Sequence, residues 1–286
     1  EGRGANYTDY YGHVSSFNKD GFQLDHVSGE PPFYVNQTGR SYVAWCWKAG
    51  GTAVSNSDGS ITSSVSANQE AGFSIVTYSG NGSGTGQTVG HGLGKAPKVI
   101  FLKKRNAATN WYVYHGAVGN GAFEGLNTSS AYGSGNAPFN TTAPSSTVVT
   151  LGNTDGNQSG INFVLYCWAE IPGYSKFGSY EGNGNANGTY VELGFRPAWL
   201  MVKKSSGANS WVIYDVKRSP ENVVDNYLIA EGSDAESTNS AVSVDLLSTG
   251  FKFKSGYDIV NAGTYVYMAF AQEPGTTPFD TFPNAR

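Results

Sequence analysis

Two glutamates beside a repeated aromatic run are the first residues whose spacing could do chemistry. Glu170 and Glu273 follow two copies of that run, whereas Lys48 follows the remaining copy. A pair of carboxylates can act as acid and base on a glycosidic bond. Their place just after each predicted strand fits surface residues that cap strand ends equally well. We therefore predict no catalytic residue and a protein that is not an enzyme, and keep a polysaccharide-degrading enzyme, or its binding module, as an alternative.

The histidines and glycine-rich segments do not have the spacing of metal or phosphate sites. The four histidines form no HxH or HxxxH pair, and two of them align with Val191 and Asp215 in an internal repeat. In the run from Gly80 to Gly94 and beyond, Val89 and Ala96 replace the first glycine and the hydroxyl residue of a phosphate-binding loop. Residues 155–157 lack the remaining ligand spacing of a calcium loop. The sequence predicts no metal site and no cofactor.

Aromatic residues in segments rich in glycine, serine and asparagine are the candidate binding residues. Such rings can stack on the apolar faces of sugars, and loops on a rigid scaffold often hold binding sites. The alternative is that each ring holds its own loop in place. The loop 121–146 has no close counterpart in the second repeat, which makes it the best single candidate. The candidate ligand-binding residues are Tyr10, Tyr11, Tyr34, Tyr132, Phe139 and Tyr257.

An internal repeat defines the elements that must position these residues. At an offset of 100 residues, eight of 22 pairs between Leu93 and Tyr114 are identical, including Trp111 with Trp211. Upstream, residues 78–82 match residues 180–184 in a Tyr-x-Gly-Asn-Gly motif. These matches predict two homologous units of about 100 residues.

A second block occurs three times, as YVAWCW (42–47), FVLYCW (163–168) and YVYMAF (265–270). Both faces of such a strand are apolar, so each copy should be covered on both sides. We expect residues 1–53 to be the second half of a preceding repeat. We expect complete repeats at 54–172 and at 173–286, the last with a C-terminal tail.

Short β-branched and aromatic runs between turn residues fill each repeat. This spacing predicts an all-β fold of tandem antiparallel β-sandwich repeats, with a barrel as the runner-up. Helix is confined, at most, to residues 222–230. Two cysteines, Cys46 and Cys167, are too few for a disulfide scaffold and are expected to be buried free thiols.

Composition removes several function classes. The net charge is −4, and charged residues make up 14% of the chain. This balance gives no basic footprint for nucleic acid. No apolar run approaches the roughly 20 residues of a membrane span, so we expect no membrane insertion. Aromatic residues at 14% argue against disorder.

The chain resembles a tandem-repeat domain of uncharacterised role in tail-associated proteins of marine bacteriophages. The resemblance covers nearly the whole chain and lies in residues 42–48, 72–82, 89–98, 173–180 and 194–198. It implies a virion protein of the tail, in a tail fibre or receptor-binding component, and supplies no catalytic residue.

The hypothesis that follows is a tail-fibre or tail-tip protein that displays loops for host-surface recognition. Its partners would be a host-surface glycan or receptor and other virion tail proteins. A purely structural virion spacer is the main alternative. Because three two-faced strands need more cover than one sandwich provides, and by analogy with other phage fibres, we expect a homo-oligomer, a trimer above all.

Overall fold

The structure is a computed structural model that describes residues 12–18, 20–25, 35–123, 125–133 and 138–272. A hairpin of β1 (His13–Asn18) and β2 (Gly21–Asp25) comes first. The next strands are β3 (Val54–Asn56), β4 (Ser63–Asn68), β5 (Phe73–Ser79), β6 (Thr88–Gly90), β7 (Val99–Lys104), β8 (Tyr112–His115), β9 (Ala122–Phe123), β10 (Tyr132–Gly133), β11 (Val148–Thr150) and β12 (Asn162–Trp168).

The second half of the chain repeats this alternation of short strands and turns. Its strands are β13 (Ser175–Glu181), β14 (Tyr190–Glu192), β15 (Trp199–Lys204), β16 (Trp211–Asp215), β17 (Asn226–Ile229), β18 (Ser237–Thr238), β19 (Val244–Leu247), β20 (Gly250–Phe253) and β21 (Thr264–Phe270). The only helices in the described residues are α1 (Thr154–Asn157) and two 3-10 turns, Gly116–Val118 and Ser240–Val242. The all-β sandwich prediction is confirmed. The helix allowed at 222–230 was wrong, because residues 226–229 pair with β16 as a strand.

The aligned segments form large sheets with the same neighbours. In residues 54–172, which we call the first unit, the order β8-β7-β12-β5 lies within an eight-stranded sheet. In residues 173–272, the second unit, the corresponding order is β16-β15-β21-β13 within a six-stranded sheet. A smaller sheet accompanies each: β11-β6 in the first unit and β14-β20-β19 in the second. The paired strands are antiparallel. The boundaries at 53/54 and 172/173 stay predictions.

The repeated Gly-Asn-Gly motif has a steric and a hydrogen-bonding reason. A Cβ on Gly80 would lie 2.2 Å from the Gln158 carbonyl oxygen, so the backbones meet too closely for a side chain. Gly82 has a φ of +69°, which only glycine adopts without strain. Between them, the Asn81 side chain accepts a hydrogen bond from the buried Asn157 amide at 2.8 Å. The second unit repeats this contact: Asn261 donates to the Asn183 side chain at 2.9 Å.

The two-faced strands of the third block are covered on both sides within one chain. One face of β12 packs into the core of the first unit through Phe163, Leu165 and Cys167. The other face joins a cluster contributed by both units, which we call the shared aromatic cluster. Its buried members are Phe73, Val99, Val113, Phe123, Trp168, Phe177, Trp199, Met201, Trp211, Ile213, Val266, Met268 and Phe270. The two large sheets therefore cover each other.

The first copy of the third block, residues 42–47, is not a strand, contrary to the prediction. It pairs with no strand in the described part of the chain. Trp45 and Trp47 are half-buried against the shared aromatic cluster, whereas Cys46 is exposed. The expected burial therefore fails for Cys46 and holds for Cys167. An extended segment without neighbouring strands can bury only the face that meets another element.

Candidate functional site

The loop 121–146 is built into the fold for much of its length. Its residues 122–123 and 132–133 form a short hairpin that extends the large sheet of the first unit. The half-buried Tyr132 accepts a hydrogen bond at its hydroxyl from the Gly121 amide at 2.7 Å, and its ring meets Phe123 edge-on. Tyr132 thus holds its own loop in place, and the loop lies against the second unit through Phe123.

Phe139 is not exposed, which corrects its expected place on a loop surface. Its side chain is 2% exposed and packs edge-on against Tyr114, with ring centroids 5.7 Å apart. The segment after residue 137 turns back into the core. Burial of the aromatic ring removes its apolar surface from water, which is favourable in free energy. Tyr10, Tyr11 and Tyr34 lie outside the described residues.

Tyr257 is the candidate whose ring remains available, with 60% of its surface exposed. It lies in the loop between β20 and β21. Its backbone is fixed: its amide donates to the Ser255 hydroxyl at 3.0 Å, and its carbonyl accepts from the Asn261 amide at 2.9 Å. The ring is therefore presented to solvent from a backbone that has little freedom to move.

The residue that follows Tyr257, Asp258, makes several polar contacts. Asp258 forms an ion pair with Lys204 and accepts a hydrogen bond from the Asn209 side chain at 3.1 Å. The hydroxyl of Tyr265 donates to the Asp258 backbone carbonyl. The Asp258 side chain keeps 57% of its surface exposed, so its oxygens can still meet a ligand. An exposed aromatic ring together with a few polar groups can hold a ligand such as a sugar. We call Tyr257, Asp258 and Asn209 the Tyr257 patch.

The residues around Tyr257 were not identified from sequence, although a signal was present. The pair Lys203-Lys204 repeats Lys103-Lys104. In the first unit, Lys104 lies 3.6 Å from Asp155, in the short helix α1 of the connection that precedes the third-block strand. Lys204 reaches Asp258 in the corresponding connection. A lysine repeated at one offset, with an aspartate in the later connection of each unit, predicts this contact.

The junction between the units contains buried titratable groups with structural partners. The Nε2 atom of His115 donates to the Tyr267 carbonyl at 3.0 Å, since Nδ1 accepts from the Ala117 amide. Burial lowers the pKa of His115 to about 4, so it is neutral at pH 7. Burial and the charge of Lys204 lower the pKa of Lys203 to about 8, although Glu231 opposes this. These groups join the two units, and we assign them no chemistry.

Glu170 also has a structural role. Its Oε1 atom accepts a hydrogen bond from the Phe177 amide at 2.8 Å, which fastens the turn before β13. Glu273 lies outside the described residues. Among the described residues, no group of three or more histidine, cysteine or acidic side chains is placed to hold a metal ion. No helix in the described ranges is long and apolar enough to cross a membrane.

These features define an all-β protein in which the large sheets of two sandwiches pack against each other and Tyr257 is exposed in the β20–β21 loop. Residues 3–274 match the model of a family described as a domain of unknown function (DUF7483). The chain belongs to that family. No curated protein matches the chain, and no solved structure matches it.

Proposed function

We propose that this protein is a phage tail-fibre or tail-tip component that displays loops for recognition of a host-surface glycan. Its location would be the virion tail, its partners a host-surface glycan or receptor and other tail proteins, and its work recognition and not catalysis. The virion context is supported by the resemblance of residues 42–48, 72–82 and 89–98 to repeats of marine phage tail proteins. The recognition role is supported by the Tyr257 patch.

The observation that carries recognition is the exposure of Tyr257 on a fixed backbone. Side chains that only hold a loop, such as Tyr132, bury their rings or bond their hydroxyls within the loop. Tyr257 instead leaves 60% of its surface exposed, and the carboxylate of the next residue, Asp258, is exposed as well. A fixed loop loses little entropy when a ligand binds, which helps a weak glycan contact. Several copies on one virion would add avidity.

Binding to an array of bacterial-surface glycans, with the purified chain as probe, tests this proposal. We expect the unaltered chain to bind at least one glycan class, and Tyr257→Ala to weaken that binding about tenfold, or about 1.4 kcal/mol. Tyr190→Ala is the matched control, because Tyr190 is also an exposed tyrosine, at 43%, but lies on the small sheet. Equal binding by both variants, or no binding by the unaltered chain, would contradict the recognition role.

A structural virion spacer remains the second candidate, and one observation favours it. The two large sheets share a buried aromatic cluster, which joins the units into a body whose length is fixed. A spacer needs this rigidity but does not need an exposed ring that binds a ligand. Failure of the glycan experiment, with the fold intact, would therefore favour the spacer.

The homo-trimer also stays a proposal, and fewer observations support it once the structure is known. The two apolar faces of the third-block strands left a neighbouring repeat, a loop or another subunit as possible cover, and the oligomer was expected because one sandwich alone provides too little. For β12 and β21, the two units of one chain supply that cover. Analogy with other phage fibres remains, and light scattering at micromolar concentration measures the mass directly.

A further inference from the structure

The large sheet of the first unit changes from aromatic to polar along the face that bears the shared aromatic cluster. Ser79 of β5 lies opposite Asn162 of β12, and Arg105, directly after β7, donates its backbone amide to the Asn162 carbonyl at 2.7 Å. Each of these residues is an even number of positions from a cluster member on its own strand, so their side chains share that face. Together they form a polar row at the other end of the strands.

A groove of about 380 Å³, which we call the Arg105 groove, contains this row. Its lining also includes the half-buried Thr77 and the exposed Thr62 and Ser64. The volume falls within the range of about 300 to 1,000 Å³ that is usual for small-ligand sites. Among the lining residues, only Arg105 carries a charge at pH 7. A ligand in this groove therefore meets hydroxyl and amide groups together with a single positive charge.

Two side chains of the groove keep donors that the rest of the described chain does not use. Arg105 is exposed, and its guanidinium has no ion pair or hydrogen bond within the described residues. The Ser79 hydroxyl donates to the Oδ1 atom of Asn162 at 2.8 Å, which orients the amide. The Nδ2 atom of Asn162 has no partner in the same ranges. A planar guanidinium with free N–H groups suits a carboxylate, which can accept two parallel hydrogen bonds from it.

Hydrogen bonds fix the backbone beneath these donors. The Asn162 amide donates to the side-chain oxygen of Asn106 at 2.8 Å, and the side-chain nitrogen of Asn106 donates to the Gly160 carbonyl at 3.2 Å. With the bond from the Arg105 amide, both backbone groups of Asn162 are engaged. Binding therefore costs little for ordering the backbone of the site.

The second unit keeps this backbone and reverses the charge. Ser205, aligned with Arg105, donates its amide to the Thr264 carbonyl at 2.9 Å, as Arg105 does to the carbonyl of Asn162. Glu181 replaces the serine of the polar row, pairs with Thr264 in the same register and accepts a hydrogen bond from its hydroxyl at 3.0 Å. A unit of this kind therefore folds without an arginine here, so the fold does not require the Arg105 side chain.

The other wall of the groove is also particular to the first unit. There, β4 and β3 continue the sheet beyond β5 and contribute Ser64 and Ser55 to the lining. In the second unit, β13 takes the place of β5 and is the last strand of its sheet within the described residues. Both the charge and the shape of the Arg105 groove thus distinguish it from the aligned surface of its homologue.

We propose that the Arg105 groove binds a saccharide that carries one carboxylate, such as a hexuronic acid. The carboxylate accepts two hydrogen bonds from the Arg105 guanidinium, and the ring hydroxyls bond Asn162 and the hydroxyls of Thr77 and Ser64. One positive charge suits one carboxylate, whereas a densely charged polyanion needs a cluster of basic side chains. The site lies on the first unit and is separate from Tyr257, on which the proposed function rests.

Isothermal titration calorimetry of the full chain with trigalacturonic acid tests this site. Galactotriose is the neutral comparison, because it has the same number of sugar rings and no carboxylate. We expect one trigalacturonic acid to bind per chain with a millimolar or lower dissociation constant. Galactotriose should bind about tenfold more weakly or less, as the loss of a hydrogen bond to a charged group implies.

Variants that borrow residues from the second unit separate binding from folding. Arg105→Ser installs the residue of the aligned position, so it should weaken the binding of trigalacturonic acid about tenfold or more at an unchanged melting temperature. Ser79→Glu installs the aligned carboxylate, which repels the ligand, and should weaken binding as strongly. Arg40→Ser is the matched control, because Arg40 is also exposed but lies outside the groove, and should leave binding unchanged.

The outcomes distinguish this site from the Tyr257 patch. Binding that is lost in Arg105→Ser and Ser79→Glu, and retained in Arg40→Ser and Tyr257→Ala, supports the proposal. Loss in Tyr257→Ala with none in Arg105→Ser would place the acidic sugar at the Tyr257 patch, which would overturn the Arg105 groove and leave the proposed function standing. No binding by the unaltered chain, equal binding of galactotriose, or equal competition by acetate would overturn the acidic-saccharide site as well.

Discussion

Trp111 and Trp211 occupy the same position in the two units and differ in what covers them. The backbone carbonyls of both accept a hydrogen bond from the segment that follows, from the Leu126 amide and the Ala230 amide. Their backbone amides both donate to a side chain, of Asn127 and of Glu231. Yet only the ring of Trp211 is fully buried, because a loop of the first unit covers it.

This difference separates what a unit encodes by itself from what its neighbour adds. Strand order, the Gly-Asn-Gly turn and the hydrogen bonds around the tryptophan are common to both units, so each unit specifies them. The cover over the ring comes from the preceding unit, so it depends on position in the series. Homologous sequence therefore predicts the same backbone and not the same burial.

The largest expected effect comes from removing the two tryptophan rings. Trp211→Ala should lower the free energy of unfolding by about 3 to 5 kcal/mol, the usual loss for a large buried ring. Trp111→Ala should cost about 1 to 2 kcal/mol, because its ring already contacts water. Urea denaturation measures both. Equal losses would contradict the difference in cover between the two rings, since they would mean that the loop over Trp211 adds no stability.

Trp168→Ala tests the shared aromatic cluster in the same way. The ring is 4% exposed and contacts Phe73, Phe101 and Trp47. We expect a loss of about 3 to 5 kcal/mol in urea denaturation. A loss below about 1 kcal/mol would show that the two-faced strand is not packed on both sides.

Asn157 and Asn261 should behave alike, because their network belongs to each unit alone. Each is buried and bonds the Gly-Asn-Gly turn through both atoms of its amide. Asn157→Ala and Asn261→Ala should each cost about 2 to 3 kcal/mol, because a buried partner is left without a hydrogen bond. Thermal unfolding of the two variants measures this. A difference above about 2 kcal/mol would show that the turns are not equivalent.

His115 should make stability depend on pH between about 6.5 and 4, whereas the aligned Asp215 titrates in a more acidic range because its pKa is lowered from 3.8. Burial lowers the folded pKa of His115 from 6.5 to about 4, so protonation favours the unfolded chain. Its contribution is complete above about pH 6.5 and is lost as the pH falls toward 4. Between pH 7.5 and pH 4.5 the unaltered chain should lose about 2 to 3 kcal/mol more than His115→Gln. Parallel losses in the two proteins would contradict a buried, neutral His115.

The smallest effect is expected at Tyr257. Because the ring is mostly exposed, Tyr257→Ala should change the free energy of unfolding by no more than about 0.5 kcal/mol. Differential scanning calorimetry checks this. A large loss would mean that the ring holds the β20–β21 loop in place, as Tyr132 holds its own loop.

Much of the fold could be predicted from the sequence, because its signals are local. The offset of 100 residues places β7 with β15 and β8 with β16, and short β-branched runs predict strands. The two apolar faces of residues 163–168 correctly indicated cover on both sides. The element that provides this cover is the sheet of the other unit. Its contact joins segments that are distant in the sequence, and the periodicity of a single segment cannot predict it.

The candidate site was less predictable for the same reason. Phe139 and Tyr257 both lie among small polar residues, yet Phe139 turns into the core and Tyr257 remains open. The local composition is similar around both residues. Whether each ring is buried therefore depends on the path that the chain takes after it. Likewise, residues 42–47 have the strand pattern of β12 but not the neighbouring strands that form its ladder.

We propose that the shared aromatic cluster joins the two units into one rigid body, and that this body presents the Tyr257 patch. Hydrogen exchange across both units tests this most directly. Phe270→Ala removes a ring of the second unit that is 3% exposed in this cluster. We expect faster exchange in β12 of the first unit as well as in β21, and a single unfolding transition. Two separate transitions, with exchange in β12 unchanged by Phe270→Ala, would contradict it.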